Sequence, residues 1–77
     1  MKMKLPLVSS DKVLKLLSKK GFFVVRQKGS HISLHKEENG KTLLVVVPRK
    51  EQIKKGTLIS IIKQSGMDRE EFLSEIK

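Results

Sequence analysis

The chain of 77 residues has no cysteine, tryptophan or tyrosine, only two prolines, and only two histidines. Without cysteine there can be no disulfide and no thiolate metal site. With His31 and His35 as the only imidazoles, a zinc centre is not expected either. No apolar run is long enough to span a bilayer, and the start MKMKLPLVSS has no apolar stretch of signal-peptide length. These absences predict a cytoplasmic protein without membrane contact, metal or other cofactor. Acidic residues are scarce where they would matter most. Residues 1–36 carry nine Lys and Arg against the single Asp11, whereas residues 37–77 carry eight against seven acids. Most of the net +9 therefore lies in the first half. Such a basic half attracts a polyanion, most simply nucleic acid, although a lysine-rich solubilising surface has the same composition.

At 38% apolar residues the chain suits one small globular domain over 1–77. A core of this size is only marginally self-sufficient, so the protein is expected either as a monomer or in a hetero-oligomer with a partner. Residues 1–8 read as a lead-in, with Pro6 opposing an early helix. Ser10 can cap a helix to about Lys20, ended by Gly21. Its apolar stripe is Val13, Leu16 and Leu17, and Lys12, Lys15 and Lys19 form a basic stripe on another face. FFVVRQK (22–28), HISLHK (31–36) and KTLLVVV (41–47) read as three strands. Gly29-Ser30 fits a type II′ hairpin turn and Asn39-Gly40 a type I′ turn. Thr57 can cap a helix from Leu58 to Ser65, and Asp68 with Glu71 can open another over 69–76. The resulting fold class is α+β, in the order α-β-β-β-α(α). Its three-stranded antiparallel sheet carries helices on one face.

Two-residue turns set the register. In the first hairpin Lys28 faces His31, Arg26 faces Ser33 and Val24 faces His35. In the second, Leu34 faces Val45, Ile32 faces Val47, His35 faces Leu44 and Ser33 faces Val46. Paired residues share a face. Phe23, Val25, Ile32 and Leu34 are thus expected toward the core, and Arg26, Lys28, His31, Ser33 and His35 on an open face. All three phenylalanines are expected in the core, not as base-stacking platforms.

His31 follows a tight turn and has Lys28 and Arg26 nearby. A neutral imidazole there can take a proton, and the cations can hold a phosphodiester. With a ribose 2′-OH, these groups suffice for RNA cleavage by internal transesterification. A turn-adjacent surface histidine reads the same way in sequence. Ser30 belongs to the turn, since no His-acid pair is placed to activate it as a nucleophile. Val24, Leu44 and Val46, with His35, form an exposed apolar patch suited to a protein partner.

Three segments, GFFVVRQKGSH (21–31), VPRK (47–50) and KKGTLISIIKQSGMDREEF (54–72), resemble the HicA toxin family of HicA–HicB toxin–antitoxin pairs. The resemblance runs from about Ser10 to Phe72. It implies a fold like a double-stranded RNA-binding domain and the activity of an mRNA interferase, a metal-independent endoribonuclease that cuts messenger RNA. It places the essential histidine at His31. It also implies a HicB-type antitoxin that masks the active site, with Val24, His35, Leu44 and Val46 as the expected contacts. Arg26, Lys28, Ser30 and Lys50 would bind phosphate, and Lys12, Lys15 and Lys19 would track the RNA backbone. Many members have histidine where this chain has Lys50, and lysine cannot accept a proton at neutral pH. A noncatalytic RNA-binding module of the same fold is the alternative, as is a degenerate toxin that contacts only its partner.

Overall fold

The computed structural model describes residues 5–76; the first four residues of the lead-in lie outside it. The element order is α1 (Ser10–Lys19), β1 (Phe23–Lys28), β2 (His31–Glu38), β3 (Lys41–Pro48), α2 (Lys55–Ser65) and α3 (Arg69–Ile76). The strands form one antiparallel sheet in the order β1-β2-β3. This is the expected α+β architecture, including the third helix.

Both hairpin turns have the expected chemistry. Gly29 has φ 60 while Ser30 does not enter the positive region, and Asn39 and Gly40 have φ 53 and 77. One positive φ at the first turn residue matches a type II′ turn, and two match a type I′ turn. Pairing of β2 with β3 follows the expected register along its whole length, from His31↔Pro48 through Leu34↔Val45 to Glu38↔Lys41. Ile32, Leu34, Val45 and Val47 are therefore on one face, where all four are buried. The helices cover that face with Val13, Leu16 and Leu17 of α1, Leu58, Ile61 and Ile62 of α2, and Phe72, Leu73 and Ile76 of α3. Each fully buried side chain of this size contributes about 1.5–3 kcal/mol through lost contact with water. The lead-in joins the core through Val8, whose carbonyl accepts from the Ile53 amide at 2.8 Å.

The first hairpin departs from a regular register. Lys28↔His31, Gln27↔Ile32 and Arg26↔Ser33 pair as expected, but a bulge at Val25 shifts the rest to Val24↔Leu34 and Phe23↔His35. Val24 therefore does not face His35. Phe23 takes that place on the open face, and neither Phe23 nor Val25 is in the core; they are 54% and 44% exposed. Two causes combine. Phe22, bonded through its amide to the Leu17 carbonyl at 2.9 Å, fills the core position directly after α1. Among the described residues no helix packs extensively on β1, and all six of its residues are exposed. An extra residue in an edge strand is absorbed as a bulge at low cost. Only Phe22 and Phe72 among the phenylalanines are core residues.

Two helix starts also differ. Ser9, not Ser10, caps α1: its Oγ accepts from the Lys12 amide at 3.3 Å. Helix α2 begins at Lys55, with Lys54 as a cap that makes no side-chain bond, so Thr57 is in the first turn instead of before it. Gly66, at φ 73, ends α2 as expected.

Candidate active site

The open face of the sheet is a grid of three cross-strand rows. Phe23, His35 and Leu44 form the first, Arg26, Ser33 and Val46 the second, and Lys28, His31 and Pro48 the third. His31 is exposed, directly after the Gly29-Ser30 turn and beside exposed Lys28. The turn is fastened to the end of β3, because the Arg49 amide donates to the Ser30 carbonyl at 2.6 Å. Two segments nineteen residues apart in sequence are thereby brought side by side, and Lys50 is carried to the His31 end of the sheet.

Lys50 is held from below. The amide and hydroxyl of Ser10 donate to the Lys50 carbonyl at 2.9 and 3.1 Å, and the Ser10 hydroxyl accepts from the Lys50 amide at 3.1 Å. Ser10 is 3% exposed, so water does not compete for these bonds. Arg49 is instead drawn toward Asp11, 3.9 Å away.

A cleft of about 540 Å³ opens at this end. One wall holds Ser30, His31, Val46, Pro48 and Lys50, and the other is α2 with Thr57, Ser60 and Gln64. The last three recur at spacings of three and four, which makes them one stripe of the helix. The stripe is next to the core stripe of Leu58, Ile61, Ile62 and Ser65. Gln64 ties α2 to the sheet, its Oε1 accepting from the Val46 amide at 2.9 Å. Sequence reasoning marked the core stripe and missed the polar one, although its i, i+3, i+7 spacing was visible.

The candidate residues thus fall into three places. His31, Ser30 and Lys50 share the cleft, with Lys28 and Arg26 next to it on the open face. Lys12, Lys15 and Lys19 do come together, but in a separate groove of about 290 Å³ against Glu75 and Ile76 of α3. His35, Leu44 and Val46 share the open face, whereas Val24 is paired with Leu34 on the opposite one. Among the described residues, no group of three or more His, Asp or Glu side chains is placed to hold a metal ion. No helix among them is long and apolar enough to cross a membrane.

Comparison with curated proteins finds no match. Comparison with protein families does: the family described as the HicA toxin of bacterial toxin–antitoxin systems matches residues 10–67. The matched part is about three quarters of the chain and contains α1, the whole sheet, α2 and every residue of the cleft. The chain belongs to the HicA toxin family of bacterial toxin–antitoxin systems.

Proposed function

We propose that the protein is the toxin of a type II pair and an endoribonuclease that cuts messenger RNA with His31 as its acid–base group. The observation that supports this most is the placement of exposed His31 and Lys50 together at the mouth of one cleft. The imidazole accepts the proton of a ribose 2′-OH, and the oxygen attacks the adjacent phosphorus. The bond from phosphorus to the 5′-oxygen breaks, and that oxygen takes up a proton from the imidazolium or from water. The products are a 2′,3′-cyclic phosphate and a 5′-hydroxyl. Lys50 and Lys28 stabilise the extra negative charge on the phosphorane, where a fixed cation is worth more than in bulk water.

A HicB-type antitoxin covers the open face. Phe23 and Leu44 are 54% and 49% exposed at the far end of that face from His31. An apolar patch of this kind suits a protein partner, and Val46, which lines both the patch and the cleft, makes the two surfaces continuous. A protein docked on the patch blocks the path of RNA to His31.

Cleavage of a defined messenger RNA in EDTA by the wild type and by folded His31→Ala tests the reading. A loss of about 10²–10⁴-fold in the variant, the usual contribution of a positioned acid–base group, is the expected result. Equal cleavage by both proteins would remove His31 from the mechanism.

A further inference from the structure

The cleft beside His31 has an asymmetry that phosphate binding alone does not use. Its cation, Lys50, is on the strand wall with His31, while the α2 wall is neutral: Thr57, Ser60 and Gln64. Between them are the apolar surfaces of Val46 and Pro48, both only partly exposed. A ligand that is anionic at one end, flat and apolar in the middle and polar at its far edge matches this order. The volume of about 540 Å³ is within the range of roughly 300–1,000 Å³ usual for small-molecule sites.

Gln64 narrows the choice. Its Oε1 faces the Val46 amide at 2.9 Å. That amide can only donate, so the reverse orientation of the side chain would set donor against donor. The oxygen is thus committed to the sheet, and what Gln64 offers to a ligand is the donor pair on Nε2, which has no partner among the described residues. The hydroxyls of Thr57 and Ser60 on the same stripe likewise make no hydrogen bond among the described residues.

We propose that this cleft is a nucleotide subsite in which Gln64 reads the base next to the phosphate held at His31 and Lys50, favouring a base with a carbonyl oxygen at its edge. Uracil offers such a carbonyl oxygen to the Nε2 donors, whereas adenine offers them only a ring nitrogen, and its amino group finds no acceptor on Gln64 because the Oε1 is occupied by the Val46 amide. The subsite rests on the ribonuclease reading for its substrate class, but base discrimination can be measured without cleavage.

The test measures binding of short oligouridylate and oligoadenylate to a His31→Ala protein, which leaves the RNA intact, at one fixed salt concentration. A preference for oligouridylate of roughly fivefold to tenfold is expected, the size of one net hydrogen bond. Adding Gln64→Ala brings the ratio to within about twofold. Adding Gln64→Glu keeps an acceptor for the Val46 amide but presents a carboxylate to the base. The ratio then turns toward oligoadenylate while affinity for both falls. A purely structural Gln64 would leave the ratio alone in the Glu variant, and that result, or equal binding of the two oligonucleotides by the parent, overturns the subsite. Discrimination that behaves as expected in a protein whose wild type cuts no RNA would instead overturn the nuclease reading and leave the subsite standing. Wild-type cleavage with an unchanged ratio would sink the subsite alone.

Discussion

Buried Ser10 grips the backbone of Lys50 with three hydrogen bonds of 2.9–3.1 Å, forty residues away in sequence. The contact locks the start of α1 to the segment after β3, and so fixes where the Lys50 side chain leaves the backbone. Ser10→Ala removes the two hydroxyl bonds and keeps the amide one. A loss of about 1–3 kcal/mol in unfolding free energy is expected, measured by denaturant titration. Under conditions where the variant is folded, its RNA cleavage falls more than that of a control with equal stability loss.

Lys50 lines the cleft together with His31. Lysine supplies charge but no proton acceptor at neutral pH. Lys50→His is expected to raise the rate of RNA cleavage, and Lys50→Ala to lower it, because the cleft then loses its cation. A Lys50→His protein slower than Lys50→Ala would show that neither charge nor proton transfer is required at this place.

The proposed antitoxin surface can be tested from both sides of the sheet. Phe23→Asp and Leu44→Asp put a charge in the middle of the open-face patch, and each is expected to weaken antitoxin binding by tenfold or more, as read by titration calorimetry. Val24→Asp is a sharper probe, since Val24 is equally exposed but faces the other way. Its effect is expected to be smaller than that of Phe23→Asp. Unchanged affinity in Leu44→Asp would mean that the antitoxin docks elsewhere.

Lys20 joins the end of α1 to α3 through Glu71 at 3.1 Å and Glu75 at 3.3 Å. Hydrogen bonds to Glu71 and then Glu75 push its amine above the ordinary 10.5. A group whose pKa is higher in the folded state stabilises below its unfolded pKa and ceases to do so as pH rises through its folded one. The melting temperature of wild type is therefore expected to exceed that of Lys20→Met at neutral pH. The gap should close as the pH is taken above 10.5. A gap that persists there would assign the difference to packing of the lysine stem instead.

The elements were readable because each announces itself locally. The apolar stripe Val13, Leu16 and Leu17 has helical spacing, Gly29 and Asn39-Gly40 supply the positive φ that tight hairpins need, and Ile32 and Leu34 alternate with polar neighbours. FFVV (22–25) carries no such alternation. Four consecutive apolar residues do not say which one turns inward, and only the reach of α1 and the absence of a helix over β1 place Phe22 inside and Phe23 outside. Adjacent Ser9 and Ser10 are chemically equivalent caps; the approach of Lys50 takes Ser10 and leaves the cap to Ser9. Of the site, His31 and its neighbours on the hairpin follow from register, whereas Thr57, Ser60 and Gln64 could not be assigned to it before α2 was seen against the edge of β3.

By itself, the sequence determined the order of elements, both turns, the β2–β3 register and the concentration of positive charge in the first half. These depend on φ preferences, side-chain alternation and composition, which act over a few residues. Only the tertiary structure decided that β1 stays uncovered, that the Ser30 carbonyl and Ser10 draw the Arg49-Lys50 segment to His31, and that a polar stripe of α2 closes a cleft over it. These depend on which surfaces three helices can cover on a three-stranded sheet, and on long-range hydrogen bonds between groups that have many equivalent partners in the unfolded chain.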